Sequence, residues 1–153
     1  MIKSFFFDDF QPGDRFESPG LTMTESAIID FAMHFDPQSF HMDQEAAKKS
    51  LYGGLIASGI HTVAVTFRLL LMTGVLTNNL GSPGFDELRW LRPVRPGDTL
   101  RAVAEVIDVR PSASRPDRGT VRLRCATLNQ RDETVQTVLC TQLLKRRTLE
   151  TGS

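Results

Sequence analysis

The densest run of side chains able to move protons is His34-Phe35-Asp36-Pro37-Gln38-Ser39-Phe40-His41-Met42-Asp43. Asp36 and His41 stand five residues apart across a proline-bearing turn, a spacing that a loop can fold so that both face one small space. A carboxylate beside an imidazole favours the protonated ring, and such a pair can hold one water molecule from two sides for acid–base work near neutral pH. The same two residues allow a plainer outcome, in which Asp36 turns the loop and His41 hydrogen-bonds to backbone. Eighteen residues after His41 comes Gly59, at the end of Leu55-Ile56-Ala57-Ser58-Gly59, a small-residue entry to the most apolar segment of the chain. Unpaired N–H groups at a helix N-terminus, closely approachable at glycine, can hold a developing oxyanion such as that of a thioester carbonyl.

Other reactive residues are less persuasive. His34, Asp36 and His41 match no compact zinc spacing and lack a further strong ligand, so no metal is expected. His61, two residues past Gly59, reads as a packed, hydrogen-bonded histidine. Cys125 and Cys140 fall on alternating strand patterns, where small buried hydrophobes belong. Arg92, Arg95, Arg110, Arg115 and Arg118 have the chemistry to pair with phosphate oxygens, and a solvated surface accounts for each of them equally well. Neither G-x-G-x-x-G nor a phosphate loop occurs, which argues against a nucleotide-dependent redox enzyme or a kinase.

The elements that must position these groups can be read from periodicity. Thr22-Met23-Thr24-Glu25 has the form of a capping box, followed at helical spacing by Ile28, Phe31, Ala32 and Phe35, so a helix is predicted over 23–34. Pro37 should end it near Asp36. Asp43 can cap a short helix through Lys49, which Gly53-Gly54 closes. From Leu55 to Val75 the one charged residue is Arg68. A helix is predicted there with Ile60, Val63, Ala64, Phe67, Leu70 and Leu71 on one face, buried nearly all round. After Gly81-Ser82-Pro83-Gly84 the pattern turns to period two, with strands predicted near 85–92, 98–109, 119–129 and 134–146. In these, Val121, Leu123, Cys125 and Thr127 form one face, and Val135, Leu139 and Leu143 repeat the form. A long helix with no polar face needs apolar cover, which a curved antiparallel sheet supplies. The class is therefore α+β, and the pattern permits the hotdog fold, in which the sheet wraps a central helix. Sheet edges and uncovered apolar surface point to a homodimer or higher homo-oligomer.

Composition narrows the classes. The chain has 153 residues, 41% hydrophobic and 24% charged, the profile of one ordinary domain spanning 1–153. Lys+Arg and Asp+Glu both number 18, so no global cationic field gathers nucleic acid or anionic lipid. No apolar run reaches the roughly 18 residues needed to span a bilayer. The N-terminal apolar patch is cut short by Asp8 and Asp9 before a signal core can form, so its phenylalanines belong with the fold. Two cysteines without C-x-x-C spacing suit a reducing cytoplasm.

Asp36-Pro37-Gln38-Ser39-Phe40-His41, together with Ile56-Ala57-Ser58-Gly59 at the start of the long helix, resembles the MaoC-like dehydratases. These include the (R)-specific enoyl-CoA hydratases of the hotdog superfamily. The resemblance extends through Trp90-Leu91-Arg92-Pro93-Val94-Arg95-Pro96-Gly97-Asp98-Thr99-Leu100 and covers most of the chain. Where the family motif D-x-N-P-x-H has asparagine and proline, this chain has Gln38 and Ser39. The resemblance implies a hydratase/dehydratase acting on the C2=C3 bond of a 2-enoyl-CoA. Asp36 and His41 would activate water, the Gly59 N–H would polarise the thioester oxygen, and Gln38 and Ser58 would contact substrate. No cofactor is implied beyond the coenzyme A of the substrate itself. A hotdog acyl-CoA thioesterase and a non-catalytic acyl-CoA-binding module are the alternatives.

Overall fold

The computed structural model describes residues 3–148. Six antiparallel strands carry the sheet: β1 (Arg15–Glu17), β2 (Leu21–Thr22), β3 (Asn79–Trp90), β4 (Thr99–Pro111), β5 (Arg118–Leu128) and β6 (Thr134–Lys145). Their order is β1-β4-β5-β6-β3, with β2 pairing the start of β4. Strand β5 follows the predicted alternation, with Val121, Leu123, Cys125 and Thr127 buried. The hairpin into β6 closes because Asn129 Oδ1 accepts the N–H groups of Arg131 and Glu133.

Strand β6 runs in the opposite phase to the one its leucines suggest. Beyond Val135, its buried residues are Gln136, Val138, Cys140, Gln142 and Leu144, while Leu139 and Leu143 lie half-buried on the outer face. Pairing with β5 sets this phase, since Leu123 faces Cys140 and Cys125 faces Val138. The two glutamines enter the core because each finds polar partners there; Gln142 Oε1, for example, accepts from Asn79 Nδ2 at 2.8 Å.

The helices are α1 (Glu25–Phe35), α2 (Ser39–Met42), α3 (Gln44–Lys48) and α4 (Gly59–Met72). Helix α1 starts two residues later than predicted. Thr24 caps it by accepting the Ala27 N–H, while Thr22 is taken up in β2 opposite Thr99. Asp43 caps α3 as expected, accepting from Glu45 and Ala46. Helix α4 packs on β4, but its buried face is His61, Thr62, Val65, Thr66, Leu69 and Leu70. The stripe predicted to face inward is largely on the other side, with Ile60, Ala64 and Leu71 exposed and Val63 and Phe67 half-buried. The sheet covers one face of α4, and Thr66 on that face meets Thr127 of β5, their Oγ1 atoms 2.6 Å apart. The arrangement is the α+β hotdog fold. Phe5, Phe7 and Phe10 are buried in the core, as their composition implied. Among the described residues no helix is long and apolar enough to cross a membrane.

Candidate active site

Helix α1 ends where Pro37 ends it. Asp36 donates the final helical bond to Ala32 O, and the Gln38 N–H turns back to Asp36 O at 2.7 Å. The single turn of α2 follows, and it aims the His41 ring inward, leaving it 4% exposed. His41 Nδ1 lies 2.7 Å from the carbonyl oxygen of Ile56. A carbonyl only accepts, so this hydrogen bond assigns the proton of a neutral ring to Nδ1 and leaves Nε2 with its lone pair. Nε2 is 3.4 Å from Asp36 Oδ2.

Two donors hold the Asp36 carboxylate. Ser58 Oγ donates to Oδ2 at 2.6 Å, and Gln38 Nε2 donates to Oδ1 at 2.7 Å. The Ser58 bond above all, then that of Gln38, holds this carboxyl below its usual value of 3.8; the His41 charge adds to them and partial burial opposes them. Near neutral pH the carboxylate is therefore ionised. Ser58 is fully buried and also caps α4, its Oγ accepting the Ile60 N–H at 3.2 Å. One hydroxyl thus joins the carboxylate to the first turn of α4.

A cavity of about 590 Å³ opens on this pair. Asp36, Gln38, His41, Thr62 and Gly59 line it, with apolar walls from Phe40, Ile56, Trp90, Leu91, Val94 and Val135 and the ring of Tyr52. Cavities that are largely apolar with a few convergent polar groups are the usual ligand sites. Ser58 is not among the lining residues; it lies behind Asp36. Gly59, the first residue of α4, contributes an N–H that has no partner among the described residues. Its φ is not positive. Glycine is required here because the Trp90 indole occupies the side-chain space: a Cβ would stand 2.3 Å from Trp90 Cε2. Trp90 Nε1 donates to the Gly59 carbonyl oxygen at 3.1 Å.

The remaining candidates fall elsewhere. His34 is exposed, its Nδ1 meeting Asp30 O at 2.7 Å. His61 is packed, its ring stacked on Phe31 with centroids 4.5 Å apart, but its buried Nδ1 has no hydrogen-bond partner, and burial lowers its pKa. Cys125 and Cys140 are buried with Sγ atoms 3.7 Å apart, and the bond to Cys140 together with burial pushes the Cys125 thiol up, which keeps it protonated. No group of three or more His, Cys, Asp or Glu able to hold a metal occurs among the described residues. Arg92 lines the cavity and pairs with Glu133 at 3.1 Å, and Arg95 donates to the Tyr52 carbonyl. Arg110, Arg115 and Arg118 belong to the β4–β5 turn region and do not line the cavity.

Trp90, Tyr52 and Thr62 are cavity residues that spacing did not single out. Trp90 stands in the segment that carries the resemblance, yet nothing in its type indicates the contact with Gly59, which is 31 positions away.

The family model for the MaoC like domain matches residues 9–127. An uncharacterised protein of Bacillus subtilis, YdeM, is 33% identical over 140 residues, covering 91% of this chain and 98% of that protein. A crystal structure described as a MaoC-like dehydratase from Rhodospirillum rubrum is 46% identical, with a TM-score of 0.90 and coverage of 95% of this chain and 100% of that one. The mesaconyl-CoA hydratase of Cereibacter sphaeroides is 37% identical over 70 residues. That match takes in 46% of this chain but only 20% of the hydratase, so the chain spans a small part of that enzyme.

Proposed function

We propose, for a chain that belongs to the MaoC-like dehydratase family, that it adds water reversibly across the C2=C3 bond of a 2-enoyl-CoA thioester. One observation carries this reading: His41 Nε2 and Asp36 Oδ2, 3.4 Å apart, open on the cavity that Gly59 also lines. The match to a mesaconyl-CoA hydratase and to a MaoC-like dehydratase supports the same chemistry.

Both inward atoms of the pair accept hydrogen bonds when the ring is neutral, so a water seated against them donates an O–H to each and turns its oxygen lone pair outward. An imidazole is in general a better proton acceptor than a carboxylate, and Asp36 is held still more acidic by Ser58 and Gln38. His41 therefore takes the proton as the water oxygen bonds to C3. The C2=C3 electron pair shifts to leave an enolate on the thioester oxygen, and the Asp36 carboxylate offsets the new imidazolium charge. The Gly59 N–H, together with the positive end of α4, meets the enolate oxygen. His41 then returns its proton to C2, and dehydration runs the same steps backwards. Because the oxyanion charge develops mainly in the transition state, the Gly59 donor raises kcat more than it tightens binding. Gln38 has a second N–H for substrate, whereas the single proton of Ser58 is already given to Asp36. We therefore assign Ser58 to holding the base pair and the helix start, with the substrate contact falling to Gln38.

Coenzyme A enters as part of the substrate, and Arg92, which lines the cavity, is the arginine assigned to its phosphates. The chain 1–153 is read as one domain, and its two free cysteines suit a reducing cytoplasm. A homodimer is supported by strand β3, which among the described residues pairs only with β6 and exposes Phe85 and Trp90, and by the exposed Ile60, Leu71 and Met72 of α4. Sedimentation at micromolar concentration tests it, and a monomer there refutes it.

Asp36→Asn and His41→Ala should each lower hydration of trans-2-butenoyl-CoA by roughly 10²–10⁴-fold, with unchanged circular dichroism. The assay is loss of the conjugated thioester absorbance across a panel of enoyl-CoA esters. Near-wild-type rates in either variant refute the mechanism. Release of free thiol instead of absorbance change selects a thioesterase, and binding without turnover selects a non-catalytic module.

A further inference from the structure

Gln136 is fully buried, yet it touches neither the cavity nor the Asp36–His41 pair. Its amide is oriented without ambiguity, because Trp90 Nε1 is a donor only and lies 3.0 Å from Gln136 Oε1. Gln136 Nε2 therefore faces the other way and donates to Thr66 Oγ1 at 3.1 Å. Thr66 has one hydroxyl proton and two further neighbours, the Thr62 carbonyl at 2.7 Å and Thr127 Oγ1 at 2.6 Å. The carbonyl can only accept, so Thr66 donates to it and accepts from Thr127. Each side-chain nitrogen and oxygen of the chain then has at least one partner.

The chain is also closed. Trp90 Nε1 shares its proton between Gln136 Oε1 and the Gly59 carbonyl, and Gly59 and Thr66 lie seven residues apart on the same helix. The loop runs from the first turn of α4, through the indole on β3, through the amide on β6, and back to α4 two turns on. The buried members of this chain, Gln136, Thr66 and Thr127, add little net stability, because apolar replacements of similar shape can be nearly neutral. What a connected network with fixed donor and acceptor roles supplies is a single geometry. Here that geometry concerns the Gly59 peptide, whose carbonyl is held by Trp90, while the peptide before it carries the N–H of Gly59, a residue that lines the cavity.

We propose that Gln136, acting through Trp90 and braced by Thr66, is a positioning residue for the oxyanion donor at Gly59. This rests on the hydratase reading above, in which the Gly59 N–H meets the thioester oxygen. The amide keeps the indole edge on the Gly59 carbonyl, and the indole keeps the first turn of α4 from rotating away from the cavity. A donor misplaced by a fraction of an ångström is felt where charge develops, so the loss falls on kcat.

The test compares Gln136→Leu, Trp90→Phe and the double variant with the full-length wild type. Trp90→Phe retains an aromatic ring against Gly59 and removes the N–H. Each single variant should lower kcat for hydration about tenfold with KM changed less than twofold, and the double variant should lose no more than the worse single, because the two act as one unit. Independently of activity, the Gly59 amide cross-peak in a ¹H–¹⁵N spectrum should move in Gln136→Leu, 77 positions away in sequence. An unmoved Gly59 amide, or losses that multiply in the double variant, overturns the positioning role. If the wild type shows no hydration and the amide still moves, the positioning stands and the hydratase reading fails. An equal fall in thermal midpoint with unchanged kcat reduces the chain to a structural one and overturns the proposal.

Discussion

Replacing Gly59 by alanine drives a methyl group against the face of the Trp90 ring. The added Cβ would lie 2.3, 2.6 and 2.8 Å from three atoms of Trp90, against an ordinary carbon–carbon contact of about 3.5–4.0 Å. The indole must retreat by roughly 1 Å, and bonds of 3.1 Å to Gly59 and 3.0 Å to Gln136 then pass out of hydrogen-bonding range. Overpacking of this kind costs about 1–3 kcal/mol, and the shared hydrogen bond contributes about 1 kcal/mol more. The intrinsic helix preference of alanine over glycine returns up to about 1 kcal/mol. The net expectation is a loss of about 1–3 kcal/mol, a fall of roughly 1 M in urea midpoint for an m value of about 2 kcal/mol/M. Trp90 is the single tryptophan of the chain, so its emission reports the displaced ring directly in the same titration. In a Trp90→Ala background the penalty should vanish and the helix preference of alanine should show as a gain. A Gly59→Ala protein as stable as the wild type, with unmoved tryptophan emission, would refute the packing argument. It would return the glycine to ligand access alone.

Further outcomes follow from the titratable groups. In the wild type the Asp36 carboxyl is more acidic than its ordinary 3.8, so its contribution to stability is present above that pH and is lost as pH falls through the lower folded value. Ser58→Ala removes the largest cause, and the drop in urea midpoint between pH 6 and pH 2.5 should shrink; an unchanged drop shows that Ser58 does not set the acidity. His61 is depressed below its ordinary 6.5 by burial. The folded state therefore loses stability as pH falls below that value, and His61→Leu should lessen the loss between pH 7 and pH 4.5 while leaving kcat within twofold. A steeper acid loss in His61→Leu contradicts the buried neutral ring.

Much of the site was legible because it is local. Asp36 and His41 are joined by a turn that Pro37 and the capping residues enforce, and the small-residue entry at Ser58-Gly59 is a helix start by its own chemistry. The joining of those two segments was not legible from spacing alone, because the Ser58–Asp36 bond spans 22 positions. Nor was the phase of β6, where leucines at 139 and 143 suggested an inward face that the pairing with β5 assigns to Gln136, Cys140 and Gln142 instead. A glutamine reads as a surface residue until its buried partners are known.

By itself the amino-acid sequence determined the alternation of strand and helix, the stops at Pro37 and at the glycine turns, and the presence of an aspartate and a histidine five residues apart across one turn. These depend on dihedral preferences and on residues a few positions apart. The tertiary structure alone decided which face of α4 meets the sheet, which nitrogen of His41 carries its proton, and why position 59 is glycine. Each of those depends on a partner from a distant strand or loop: the β4 face, the Ile56 carbonyl, the Trp90 ring. Such contacts exist only once the chain has closed, because hydrogen bonds and steric exclusion act over a few ångströms of space regardless of how many residues lie between.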